Sequence, residues 1–121
     1  MYKSVKNFKK YVKAFPYAVD ELGNTMLIRL CSDGKEKDGI SILSYLSINV
    51  INHANNFGDT ALIIACQNKL KSLVKKLLKI KGINYNHIGQ HGNTALTWCM
   101  DDKSMEKMAS MLLTMPNIMY D

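Results

Sequence analysis

The chain has 121 residues, 47% of them apolar, and a formal net charge of +6 carried almost wholly by lysine, with Arg29 the single arginine. That length suits one compact domain or a short array of small units, and no apolar run reaches the roughly 18 residues of a membrane span, so no membrane role is expected. The three cysteines, Cys31, Cys66 and Cys99, are spread singly; they make a poor disulfide framework and read as small buried thiols in a reducing compartment.

The first residues, MYKSVKNFKKYVKAF, are too broken by lysine for a signal-peptide core and lack the Arg and Ser enrichment of a mitochondrial presequence. An intracellular, cytoplasmic protein is therefore expected. Val5, Phe8, Val12 and Phe15 recur at spacings of three and four, which predicts a helix over 3–15 with one apolar face. Pro16 should end it.

A motif then recurs. GNTMLIRLC runs from Gly23, GDTALIIAC from Gly58 and GNTALTWCM from Gly92, so Thr25, Thr60 and Thr94 are spaced by 35 and 34 residues. A fixed period in this range signals stacked supersecondary units. Each unit opens with a glycine that can take positive φ in a turn. Threonine follows, placed to cap a short apolar helix with its hydroxyl. A polar turn and a second helix come next. In the middle unit Leu70, Leu73, Val74, Leu77 and Leu78 fall on one helical stripe. In the first unit SDGKEKDG reads as an unusually long turn between the two helices, and the third unit needs one extra residue there.

These residues resemble the ankyrin repeat, whose pattern is D-x-x-G-x-T-P-L-H-x-A, a second helix ending in Leu-Leu, then Gly-Ala and an Asn. Gly58, Thr60, Leu62, Ala65, Leu77, Leu78, Gly82 and Asn86 stand at family positions in the middle unit. Gly92, Thr94, Leu96, Leu112 and Leu113 do so in the last, and Asp20, Gly23, Thr25 and Leu27 in the first. The family proline is replaced by Met26, Ala61 and Ala95, and its histidine by Ile28, Ile63 and Thr97. The family aspartate survives only as Asp20, with Asn55 and Gly89 at the other two positions. The resemblance implies an all-α solenoid of about three and a half repeats. Residues 1–19 would be an N-terminal half repeat, 20–54, 55–88 and 89–121 the repeats, the last poorly capped.

The resemblance further implies a non-catalytic module that binds a protein partner through its turn tips and the concave face of its first helices. Leu22, Arg29, Phe57, Ile64, Asn68, His91 and Trp98 are the candidate contacts, together with neighbouring polar groups such as Asn24, Asn56, Asp59 and Gln67. Phe57, Ile64 and Trp98 are read as apolar anchors, since such side chains would face water until covered; packing of Trp98 against the next repeat is the competing reading. A stand-alone short array with AT-rich coding bias is similar in style to the ankyrin proteins of large DNA viruses and intracellular bacteria, which act in the host cytoplasm.

Two other surfaces compete. Lys71, Lys75, Lys76 and Lys79, with Lys9, Lys10 and Lys13 of the half repeat, would lie on the outer layer and could hold nucleic acid or another polyanion in a salt-sensitive way. Lys3 and Lys6 would extend that set. The absence of arginine forks and interleaved aromatics weighs against it. At the C-terminus Met111, Met115, Met119 and Tyr120 would leave an adaptable apolar end suited to self-association or assembly. No catalytic motif, phosphate loop or zinc spacing occurs, so no enzyme, cofactor or metal is expected. His53 and His87 read as satisfied turn histidines, and Asp101 and Asp102 as turn residues and helix caps.

Overall fold

A computed structural model describes residues 8–119. The described residues form eight α-helices and no strand: α1 (Phe8–Ala14), α2 (Met26–Ser32), α3 (Glu36–Ile42), α4 (Ile48–Ile51), α5 (Ala61–Gln67), α6 (Lys71–Leu78), α7 (Ala95–Met100) and α8 (Glu106–Leu113). The repeated threonines start the first helix of each unit. The hydroxyls of Thr25, Thr60 and Thr94 accept the amides of Ile28, Ile63 and Thr97 at 3.2, 3.3 and 3.2 Å. Each such cap stabilises its helix by about 1 kcal/mol. In α7 the exchange is reciprocal, because the Thr97 hydroxyl accepts the Thr94 amide at 2.7 Å. Thr97 thus replaces the family histidine with a full capping box.

Helices α2, α5 and α7 pack side by side as an inner layer, and α1, α3, α6 and α8 pack in that order as an outer one. Position in the layers explains composition. Helix α5 touches α2, α6 and α7, and every residue from Ala61 to Cys66 is buried. Helix α6 meets the core on one face alone, burying Leu73, Val74, Leu77 and Leu78 while Lys71, Lys76 and Lys79 stay exposed. Each of these buried aliphatic side chains contributes about 1.5–3 kcal/mol.

Two expectations are corrected. The stretch SDGKEKDG is not a long turn: α3 already begins at Glu36, so α2 and α3 start ten residues apart, as α5 and α6 do. Gly34 makes the short turn at φ +71°, while Gly39 sits inside α3, where a Cβ would lie 3.1 Å from Leu73 Cδ2. That glycine serves close packing of α3 on α6. The third unit does hold its extra residue, with α7 and α8 starting eleven apart. At the N-terminus α1 spans Phe8–Ala14; residues 3–7, with Val5, Lys3 and Lys6, lie outside the described residues. Val12 is buried as expected, but Phe15 is 59% exposed, its ring against Tyr11 at 5.3 Å between centroids. Tyr11, not Phe15, joins Val12 on the core.

Side-chain ladders tie the loops of successive repeats. Asn52 Nδ2 donates to the Gly82 carbonyl at 3.0 Å and its Oδ1 accepts the Asn84 amide at 2.9 Å. Asn86 repeats this with the Asn117 carbonyl at 3.0 Å and the Met119 amide at 2.9 Å. His53 and His87 place Nε2 2.9 Å from the carbonyls of Gly23 and Gly58, so they are satisfied turn histidines, each donating from Nε2.

Candidate partner-binding groove

The turn tips are built by short polar side chains holding their own backbone. Asp20 accepts the amides of Leu22 at 2.9 Å and Asn24 at 2.8 Å. Asn55 does the same for Phe57 and Asp59, each at 3.0 Å. These closures leave Leu22 and Phe57 pointing outward, 47% and 50% exposed. The Asn56 amide donates to the Leu22 carbonyl at 2.9 Å, which fixes one tip against the next.

Between these tips and the ends of α2 and α5 lies an open groove of about 410 Å³. Leu22 and Phe57 edge it, and Arg29, Ser32, Gln67 and Asn68 add polar groups along its length. Arg29 is held in place by Asp20 at 3.3 Å and Asp33 at 3.9 Å. Burial pushes the Asp20 carboxyl up, but hydrogen bonds from Asn24 and Leu22 and the charge of Arg29 outweigh it, so the group stays below its ordinary value of 3.8. Asn68 turns its Nδ2 to the Cys31 carbonyl at 2.9 Å, capping the end of α2.

The groove brings together Leu22, Arg29, Phe57, Ile64 and Asn68 of the seven residues singled out from the sequence, and not His91 or Trp98. Ile64 was expected to face water, yet it is 6% exposed. It is part of the floor, because its helix is flanked by α2 and α7. His91 stands exposed on the third tip with φ 61°. Trp98 is half-buried against the core, so its indole serves packing while part of it reaches solvent. Asn55, which stands where the family has aspartate, sets the direction of Phe57, and its position in the turn is the sequence signal for that role.

The other candidate surfaces are rearranged. Lys9, Lys10, Lys13, Lys71, Lys76 and Lys79 are exposed and Lys75 is half-buried. They fall on α1 and on α6 with its end, and α3 lies between those helices carrying Glu36 and Asp38. The exposed Lys35 and Lys37 also stand there, so acidic and basic side chains alternate between the two lysine sets. Lys13 sits over the Tyr45 ring at 4.8 Å. Met111 and Met115 rest partly buried on the core, Met119 is 50% exposed, and Tyr120 lies outside the described residues. Met100, 63% exposed, and Leu113, 46% exposed, are further open apolar side chains of the third unit. Asp102 accepts the Ser104 amide at 2.8 Å, as a turn cap should, and also pairs with Lys69.

Cys31, Cys66 and Cys99 are buried free thiols. Burial pushes Cys31 up to about 12. A hydrogen bond with Cys99, together with burial, raises Cys66 well above the ordinary thiol range. Among the described residues no cluster of three or more His, Cys, Asp or Glu could hold a metal ion, and no helix is long and apolar enough to cross a membrane.

No curated protein matches the chain. Among solved structures, one chain of the crystal structure of the yeast ribosomal protein Rps3 in complex with its chaperone Yar1 has a similar fold. The TM-score is 0.72 at 18% identity, over 97% of this chain and 90% of that one. A family model for ankyrin repeats in three copies matches residues 27–120. With the Thr-capped helix pairs and the two-layer stack, that match shows that the chain belongs to the ankyrin-repeat family, whose members are protein-interaction modules.

Proposed function

We propose that the protein is a non-catalytic interaction module that takes a protein partner in the groove between its first two turn tips. The observation that carries this reading is the pair of exposed apolar side chains, Leu22 and Phe57, beside a polar-lined groove of about 410 Å³. Turn backbones already closed by Asp20 and Asn55 have less freedom left to lose on binding, which favours the residues they carry as anchors. Their polar neighbours, Ser32, Gln67 and Asn68, offer donors and acceptors to a partner's backbone. The similar fold in a complex between a ribosomal protein and its chaperone is consistent with such a role. The division into repeats 20–54, 55–88 and 89–121 behind a half repeat of 1–19, and a cytoplasmic setting, belong to the same reading. Three buried free thiols suit a reducing compartment.

A photo-crosslinking amino acid at Phe57 tests the proposal in cell lysate, with the same probe at Lys76 as the outer-face control. The Phe57 probe should trap one protein, and a Leu22→Ser variant carrying it should trap at least about tenfold less. Ile64 is left unchanged, since a serine at a 6% exposed site would unfold the repeat. Trapping at Lys76 alone, abolished by salt, would replace the groove with the lysines as the working surface.

A further inference from the structure

The repeat register sets the far face of the third unit apart from the junctions before it. Cys31 and Cys66 hold equivalent positions on α2 and α5, 0% and 1% exposed where the next repeat covers them; Met100, at that position on α7, is 63% exposed. Leu78 of α6 is 6% exposed and its counterpart on α8, Leu113, is 46% exposed. Met100, Leu113 and Ala109 line an open groove of about 430 Å³. The side chains that seal the first two junctions thus have exposed counterparts on the far face of the third unit.

The charges that cross the interior junctions recur there too. Glu36, at the start of α3, reaches the next repeat and accepts the amides of Ser72 and Leu73 at 2.8 and 3.1 Å. Lys69, three residues after Cys66, reaches the next repeat and pairs with Asp102. Glu106 stands at the start of α8 as Glu36 does on α3, and Lys103 follows Met100 by three residues. Both are exposed, both line the end groove, and neither makes a side-chain hydrogen bond or ion pair among the described residues.

We infer that this end face is a dimerisation surface for a second copy of the chain, joined about a two-fold axis. A two-fold contact requires one patch to be complementary to itself. Met100 and Leu113 supply apolar area to both sides, and the adjacent Lys103 and Glu106 are opposite in sign. Under the two-fold each crosses to the other's counterpart, giving two ion pairs for one geometry. Charge also selects this approach. The chain carries +6 overall, with exposed lysines on the outer helices, so two copies repel over much of the surface. At the end face cation and anion balance. This contact is separate from the groove edged by Leu22 and Phe57, and the two can be occupied together.

Sedimentation across a protein concentration series tests the inference. The full chain should approach twice its monomer mass, and Met100→Ser/Leu113→Ser should remain monomeric with an unchanged helical spectrum. Lys103→Glu and Glu106→Lys should each weaken dimerisation by roughly tenfold or more, because each creates two like-charge contacts. Mixing those two variants should restore the dimer as a mixed species, since both crossings then pair opposite charges. A chain that stays monomeric at the highest attainable concentration overturns the inference. So does a dimer that survives Met100→Ser/Leu113→Ser, or a mixture no more associated than its components. Loss of partner trapping at Phe57 leaves these outcomes untouched, so the two proposals fail separately.

Discussion

Gly89→Ala should destabilise the protein although Gly89 is not one of the positive-φ glycines. Gly89 has φ −97°, so no left-handed strain is involved. The obstacle is a neighbour: a Cβ there would lie 2.3 Å from Asp59 Oδ1 and 3.0 Å from Ile63 Cδ1. That Asp59 oxygen accepts the Gln90 amide at 3.0 Å and links the second turn tip to the third. Displacing a carboxylate from a backbone amide costs about 1.5–3 kcal/mol. Loss of glycine's freedom in the unfolded chain returns about 0.4–1 kcal/mol. The net destabilisation is about 1–2 kcal/mol, a fall of about 3–10 °C in Tm for a chain of this size. Gly89→Asn is the discriminating control. At the preceding junction the equivalent residues are Asn55 and Asn24, and Asn55 Nδ2 donates to Asn24 Oδ1 at 2.9 Å. An asparagine amide at 89 can donate to Asp59 in the same way, so this variant should recover at least half of the loss. Urea and thermal unfolding by circular dichroism measure both, and hydrogen exchange at the Gln90 amide reports the bond. An unchanged midpoint for Gly89→Ala, or equal losses for Ala and Asn, would refute the reasoning.

Other consequences can be checked alongside. Thr60→Ala removes the α5 cap and should cost about 1 kcal/mol in urea unfolding, with Thr60→Ser nearly neutral. The hydrogen bond from Lys69, with those from Ser104, holds the Asp102 carboxyl well below its ordinary 3.8. A folded-state value depressed in this way contributes stability that is full above that ordinary value and is lost as pH falls through the folded one. Asp102→Asn should therefore differ from the parent at neutral pH and converge with it in strong acid, and a carbon-13 carboxyl titration should give a midpoint below 3.8. The native thiols should resist a disulfide reagent at pH 8 and react together on unfolding, since Cys31, Cys66 and Cys99 are at most 1% exposed. Asn86→Ala breaks both bonds to the last loop and should speed exchange of the Met119 amide by about tenfold, with little change at Asn84.

The sequence alone carried the architecture. A Gly-(Asp/Asn)-Thr motif at a period of 34–35 residues, followed by an apolar helix and an amphipathic one, leaves stacked helical pairs as the arrangement that buries each apolar face. The caps, the buried cysteines, the turn histidines and the extra residue before α8 were legible because each depends on neighbours a few residues away or on the repeat itself. Tertiary structure decided what periodicity could not. Gly39 reads as a turn residue in sequence, and its use inside α3 for close packing shows only in the approach of Leu73, 34 residues away. Ile64 and Phe57 are both large and apolar, yet one is floor and the other rim, because α5 is flanked on both sides while the turn tip is not. The methionines show the same division: Met108 and Met100 look alike in sequence, but one is 2% exposed against the core and the other is 63% exposed on the far face of the third unit. A residue's type states what burial is worth; the position of its helix in the stack settles whether a neighbour is there to bury it.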